Sequence, residues 1–386
     1  MDVVVIGAGL GGLAAGLAAH RAGHAVTVLE RSAELRERGA GIGLMPNGVR
    51  ALDALGLGGA VRERATPMPC GGGLRDRHGR PLLAVDQAAV AARAGAPLVV
   101  VDRTWLHRQL AATLPAGAVR TGTAVTAVHD DGGRVRVEGA DAAADADLAV
   151  VADGAGSRLR AELFSGHPGL EGSGEYAARA LAPAGTGADP IAGELLDRRT
   201  GERFGCLPLA DGRTYWYATW PATRSVPADP VGRVVALRAR HADWHPTVDA
   251  LLDATEPASV HVTETVRLVA PLPALAVGRI ALLGDAAHAM TPDLGQGGCQ
   301  AFEDAATLGE LLAGAGPADV PAALLRYDAS RRPRTSALQR QARQMNRLLR
   351  LHGPAGWLRD AVLRAVPQAL AAPALARQFA FDPVSG

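Results

Sequence analysis

The chain begins with an unbroken apolar run, Asp2-Val3-Val4-Val5-Ile6, the pattern of a parallel strand buried on both faces. A glycine-rich turn, Gly7 to Gly12, separates it from Leu13–Ala22, whose spacing predicts a helix ended by Gly23. Ala25–Leu29 predicts a second strand, closed by Glu30, and the three elements make one βαβ unit. Residues 41 to 57 read as a glycine-rich loop followed by a helix, Asn47–Leu55. Gly71 to Val85, with turns at Gly72-Gly73 and His78-Gly79, predicts short strands leaving the first domain. Leu106, Leu110 and Leu114 give Thr104–Leu114 a helical period. Val125–Val128 and Val135–Val137 flank Asp130-Asp131-Gly132-Gly133, a hairpin signal, and Leu148–Ala152 predicts another buried strand, ending at Asp153-Gly154.

From 175 to 270 the pattern changes. Strand-like segments fall around Arg203–Leu207 and Thr214–Trp220, with the aromatics Phe204, Tyr215, Trp216, Tyr217 and Trp220, and predict a β-rich second domain. A buried strand returns at Arg279–Leu283, then a loop, a helix near Gly298–Leu312, and helical sequence from Pro321 onward. Trp357–Phe379 predicts one amphipathic helix, read as packing on the rest, with a membrane-surface role as the alternative.

Composition narrows the classes. A length of 386 residues, 48% hydrophobic and 20% charged, suits two intertwined domains with a sizeable core. A formal net charge of +1 provides no global field for nucleic acid or a membrane surface. Every basic side chain other than His is Arg, which excludes mechanisms that need a lysine amine. Cys70, Cys206 and Cys299 are too few and too scattered for a disulfide framework or a zinc site, and no metal is expected. Met1 leads straight into the first strand without a signal-peptide pattern, and no apolar run reaches the roughly 20 residues of a membrane helix. The expected location is cytoplasmic.

Three segments carry candidate chemistry. Gly7-Ala8-Gly9-Leu10-Gly11-Gly12 is a G-x-G-x-x-G sequence between strand and helix. In that context Gly7 permits the turn, Gly9 the approach of a pyrophosphate, and Gly12 close helix–strand packing, with Glu30 placed to accept from a ribose diol. This points to a dinucleotide without choosing FAD over NAD. The second segment is Ala152-Asp153-Gly154-Ala155-Gly156-Ser157-Arg158-Leu159-Arg160, at a strand end. The third runs from Gly284-Asp285-Ala286-Ala287-His288 through Pro292-Asp293-Leu294-Gly295-Gln296-Gly297-Gly298-Cys299. Asp285 suits a sugar or ribityl hydroxyl, and the helix that follows turns its positive end toward a developing anion, such as a reduced flavin.

The order of these segments, with Arg103 between the first and second, resembles the FAD-dependent aromatic hydroxylases of the para-hydroxybenzoate hydroxylase type, over nearly the whole chain. The matching stretches are Gly39–Leu57, Val101–Leu114, Ala149–Arg160 and Arg279–Ala305. The resemblance implies an α/β fold: a Rossmann-like FAD-binding domain from discontinuous segments (1–70, 97–170 and 268–350), an inserted β-sheet substrate domain (71–96 and 171–267) and a C-terminal helix (351–386). It implies that Glu30, Arg31 and Arg103 serve the adenosine and phosphate side of FAD, and that Asp285, beside Gly284, holds the ribityl or pyrophosphate region. It places Pro292 to Gly298, including Gly295 and Gly297, against the isoalloxazine, and links Asp153 to both FAD and a nicotinamide cofactor. Many members carry Asn where this chain has Cys299; the run around it resembles the urate- and hydroxybenzoate-hydroxylase subgroup. Cys299 is read as a small packing residue.

No second G-x-G-x-x-G is present, so NADH or NADPH is expected as a transient co-substrate that reduces FAD. The resemblance implies reaction with O2 through a flavin C4a-hydroperoxide and hydroxylation of an electron-rich ring, with the protein positioning the ring and excluding water. No nucleophilic triad is needed: Ser157 and His288 lack a third partner, and His288 reads as a structural hydrogen-bonder. Tyr215 and Tyr217, two apart on one strand, are candidate phenol binders, and Arg203 a candidate for an anionic oxygen; the alternatives are sheet packing and a surface charge. Asp293, after Pro292, either bonds substrate or caps its loop. Epoxidation, another oxidative tailoring reaction, a plain NAD dehydrogenase and a non-catalytic flavin protein remain as alternatives. A halogenase is disfavoured: there is no Lys, and Trp216-Tyr217-Ala218-Thr219-Trp220-Pro221 does not match its W-x-W-x-I-P segment. The expected assembly is a monomer or homodimer, with small-molecule substrate and O2 as partners.

Overall fold

A computed structural model describes residues 1–35, 40–67, 73–139, 143–186 and 191–381. Gly39, Cys70, Gly71 and Gly72 lie outside the described residues.

The first apolar runs form a six-stranded sheet, ordered Ala276–Val277, Ile280–Leu282, Leu148–Val151, Asp2–Ile6, Ala25–Leu29, Val119–Arg120. All neighbours are parallel except the Ala276–Val277/Ile280–Leu282 pair. Val3, Val5 and the whole of Leu148–Val151 are buried, which explains the unbroken apolar sequence: both faces are covered. Helix Leu10–Arg21 lies between this sheet and helix Gly297–Leu312, close enough that Gly16 sits on Val28 and Gly309 on Ala18. The chain runs outward in opposite directions from Asp2–Ile6, so a crevice opens at the strand carboxyl ends, where ligands bind in open α/β sheets. Four segments leave that edge: Gly7–Gly12, Glu30, Ala152–Asp153 and Leu283–Asp285.

The second large sheet has seven strands, ordered His261–Leu268, Leu170–Ala182, Thr214–Pro221, Arg203–Pro208, Gly193–Leu196, Gly73–Asp76, Pro81–Ala84. Alternation divides its residues cleanly. Phe204, Cys206, Trp216, Ala218 and Trp220 face one side and make a separate core with Leu237, Trp244, Val248 and Leu251. Phe204 stacks on Trp216 at 5.4 Å between ring centres, and the indole donates to Thr255 Oγ1 at 2.8 Å. Arg203, Tyr215, Tyr217 and Thr219 point the other way. Two small antiparallel sheets complete the fold; one is the Val125–Asp130/Val135–Gly139 hairpin extended by Ala143–Ala146, and the other joins Gly41–Leu44, Val99–Asp102 and Thr66–Pro67.

Three expectations need correction. The β-rich stretch contains helices Pro230–His241 and Pro246–Ala254, which supply the cover for the aromatic core. Their signal was present: Asp229 caps the first through Gly232 N, and a proline opens each. The tail is two helices, Gly353–Ala365 and Gln368–Gln378, because Pro367 interrupts it. A further helix, Gln87–Ala94, lies within residues 71–96, which were expected to belong to the β-sheet domain. No helix among the described residues is long and apolar enough to cross a membrane.

Candidate cofactor and substrate site

Gly7 has φ +104°, and a Cβ there would lie 2.5 Å from the Ala152 carbonyl oxygen, so the first strand–helix turn tolerates only glycine. A Cβ on Gly12 would meet Gly7 O at 1.9 Å, which is the close helix–strand packing its motif requires. Gly9 instead borders open space, with nothing within 4 Å of a Cβ. Gly11 lies on Leu283 and Ala301, so the first and third segments touch. Gly9 provides no side-chain cap to helix Leu10–Arg21, whose first intrahelical bond is Leu13 N to Gly9 O; the N–H groups of Leu10, Gly11 and Gly12 remain for a ligand.

Glu30 closes the second strand over this loop. Its carboxylate accepts from Ala8 N and from Ser32 N, each at 2.9 Å. Partial burial raises its pKa, but the Ser32 and Ala8 bonds prevail and lower it, so Glu30 is ionised. Arg31 is exposed beside it. His107 Nε2 lies 2.7 Å from Ala8 O and is buried. Sequence reasoning passed over it because it lies 99 residues away, inside an ordinary amphipathic helix.

A buried arginine joins the other two segments. Arg160 donates to Ala155 O at 2.7 Å and to Ala286 O at 3.1 Å, locking the Asp153 loop to the Asp285 loop. It falls within the matching stretch Ala149–Arg160, but its sequence position gave no sign of this role. Burial raises the pKa of Asp153 against an opposing Ser157 hydrogen bond, and its Oδ1 is buried with no protein partner. Asp285, by contrast, is exposed, at the start of a short helix that Gly284 (φ +60°) introduces. Gly295 lies against Met45, Gly297 near Asp285, and Gly298 on Ile42, so the Pro292–Gly298 loop is laid along the Gly41–Leu44 strand. The helix beginning at Gly297 also lacks a side-chain cap. Two uncapped helix ends, an orphaned buried carboxylate oxygen, an exposed aspartate and the open space at Gly9 suit a long anionic group rich in hydroxyls, as FAD is.

A polar network underlies the loop. Asn47 donates to Gln296 and Glu303 at 2.8 and 2.7 Å; Arg331 bridges Glu303 and Asp304 at 2.6 and 2.7 Å; Asp304 also accepts from Gly284 N and pairs with His288 at 2.6 Å. Burial would raise the pKa of Asp304, but His288 and Arg331 outweigh it and bring it to about 2. Cys299 is fully buried against Gly48, and burial pushes its thiol up to about 12, so it packs and does not react.

The free face of the large sheet meets this loop through Arg203. It is not at the surface: it is 2% exposed, and Nη1 lies 2.8 Å from Asp293 and 3.3 Å from Glu194, while Nη2 lies 3.4 Å from Glu175. Its Nε donates to Thr219 Oγ1 at 3.0 Å. Asp293 therefore makes an ion pair, additionally accepting from Asn346 at 3.3 Å, beside Pro292. Tyr217 lies flat over Gly205 and hydrogen-bonds to Glu194. Burial raises the pKa of Glu194; Arg203 opposes and Asp293 adds. Tyr215 packs on Gly41, and its ring centre is 6.1 Å from that of Tyr217. Arg103 stands at the start of helix Arg103–Thr113, near enough to the Tyr215 phenol, with Arg179, to counter the burial that raises its pKa.

The fold and these converging loops define a FAD-dependent flavoprotein. A family profile described as FAD binding domain matches residues 1–342, and the chain belongs to that family. Its relatives are FAD-dependent monooxygenases and hydroxylases, and this chain is an enzyme of that kind. It is 34% identical to aurachin C monooxygenase/isomerase of Stigmatella aurantiaca, over 86% of this chain and 85% of that protein. It is 33% identical to the FAD-dependent urate hydroxylase of Klebsiella pneumoniae, over 89% of each. The structure of Klebsiella pneumoniae HpxO complexed with FAD and uric acid superimposes with a TM-score of 0.89 and 30% identity, covering 98% and 96% of the two chains. A salicylate hydroxylase substrate complex superimposes with a TM-score of 0.76 and 25% identity, covering 98% of each.

Proposed function

We propose that this chain uses NADH or NADPH and O2 to hydroxylate an aromatic or similarly electron-rich small molecule. The observation that carries this reading is the 2.8 Å Arg203–Asp293 pair, which ties a sheet face bearing two tyrosines to the loop assigned to the flavin. Relatives named for urate and for 3-amino-4-hydroxybenzoate support an electron-rich ring as the target. When bound, FAD supplies the redox chemistry that activates O2.

The chain's own residues bind and orient. Leu10, Gly11 and Gly12 N–H groups would face the pyrophosphate at the positive end of their helix, with Gly7 permitting the turn and Gly9 leaving room for the group. Glu30 holds the Ala8 turn and, with Arg31, flanks the ribose; Arg103 lies toward the phosphates. Asp153 Oδ1, buried without a donor, accepts from a cofactor hydroxyl or N–H, and Asp285 from the ribityl side. Pro292, Gly295, Gly297 and Gly298 present backbone to the flat ring system. Tyr215 and Tyr217 cover the opposite side, exclude water and orient the substrate ring. In this geometry Arg203 and Asp293 hold the substrate face to the cofactor loop.

The test is direct. The purified protein is yellow, and phenolic or purine-like compounds stimulate its NAD(P)H oxidation, with mass spectrometry detecting one added oxygen in the product. A protein that stays colourless after incubation with FAD overturns the cofactor reading. NAD(P)H oxidation without any oxygenated product overturns the hydroxylase reading alone.

A further inference from the structure

We propose that this chain selects an uncharged aromatic ring bearing hydrogen-bond donors and excludes aromatic carboxylates, because the buried arginine of its substrate face is already enclosed by three carboxylates. This deepens the reading above and rests on it. A substrate carboxylate is held best by a guanidinium fork offering two parallel N–H groups. Arg203 has no such fork to offer: Nη1 faces Asp293 and Glu194, Nη2 faces Glu175, and Nε donates to Thr219.

Charge points the same way. Arg350, 3.9 Å from Glu175, is the one further cation at this cluster among the described ion pairs, so two cations meet three carboxylates. Asp293 Oδ2 and Glu175 Oε1 are buried with no hydrogen-bond donor. The cluster thus has acceptors in excess, and a further anion entering this low-dielectric region meets net repulsion. Glu194 is its most exposed acid, at 15%, and with Tyr217 it presents acceptor oxygens suited to a ring N–H or phenolic O–H. The other cations on this face, Arg179 and Arg103, stand beside Tyr215; Arg179 hydrogen-bonds the Tyr215 phenol and also lies 3.5 Å from Thr263 Oγ1.

The experiment uses the FAD-loaded enzyme and benzoate as the probe, followed by the perturbation of flavin absorbance. Benzoate is expected not to perturb the wild-type spectrum at millimolar concentration. Glu194→Gln, and separately Glu175→Gln, are expected to lower its dissociation constant at least ten-fold, with the uncharged analogue benzamide changed less than three-fold. Binding of benzoate to the wild type as tightly as benzamide overturns the proposal, and so does the absence of any gain in both variants. Flavin content and thermal unfolding, measured on each variant, confirm that it is folded and loaded. An enzyme that takes up no FAD defeats the earlier reading instead.

Discussion

Two buried arginines lie on either side of the Pro292–Gly298 loop, and their charge is met in opposite ways. Arg331 bonds Glu303, Asp304 and Gln300, and Arg334 adds a second cation on Glu303, so two cations face two carboxylates. No oxygen of Glu303 or Asp304 is left without a partner, and both acids have lowered pKa values. Arg203 faces three acids, two of which carry an orphaned oxygen, and Glu194 has a raised pKa. A balanced, fully bonded network is what a buried strut requires. An acceptor-rich one is costly to the fold and reads as serving a ligand.

The largest effect should come from Arg331→Met. It leaves two buried carboxylates facing only Arg334 and His288 and should cost about 3–5 kcal/mol in denaturant unfolding of the FAD-loaded protein. Arg203→Met should cost clearly less at pH 5, since Glu194, whose pKa burial raises, can take up a proton, and more as the pH rises. Equal costs at pH 5 would erase the distinction between the clusters.

Next is the cradle itself. Gly9→Trp fills the open space beside the first turn and should weaken FAD binding roughly a hundred-fold, ~2.8 kcal/mol at 1.4 per decade. Flavin absorbance after gel filtration checks this, and Asp285→Ala should show the same loss more weakly. Full colour in both variants would show that the cofactor lies elsewhere.

The pH profiles separate the clusters by sign. Asp304 has a folded pKa depressed to about 2, so its stabilisation is present above pH 4 and is lost as pH falls toward 2. By linkage, Asp304→Asn should destabilise by about 2 kcal/mol at neutral pH and less in acid. Glu194 has a raised folded pKa, so its contribution is present in acid and lost as pH rises through that value. Glu194→Gln should therefore gain stability over the wild type with rising pH; a loss would contradict the acceptor-rich reading. The smallest effect concerns Cys299. A thiol raised to about 12 and fully buried should resist maleimide labelling in the folded enzyme at pH 7.5 and react only on unfolding.

Much of the cofactor side was legible along the chain because its signals are local. A strand, a turn with a glycine at positive φ and a helix lie within about twenty consecutive residues, and the positive φ at Gly7 or Gly284 is a property of the turn itself. The helices at Pro230 and Pro246 were equally local, but aromatic strand composition dominated the reading of that stretch. The single tail helix failed at Pro367, a boundary signal that helical periodicity obscured.

The partners of each charge were not legible. Arg203 meets Glu194, Glu175 and Thr219 at separations of 9, 28 and 16 residues, His107 meets Ala8 at 99, and Arg160 meets Ala286 at 126. The sequence by itself determined that three glycine-bearing loops end parallel strands and that two tyrosines share a strand face, because backbone geometry and alternation depend on near neighbours. Only the tertiary structure decided which acids surround which arginine. Burial and charge pairing arise between chain segments brought together by packing, and they surround a candidate anion binder with three carboxylates.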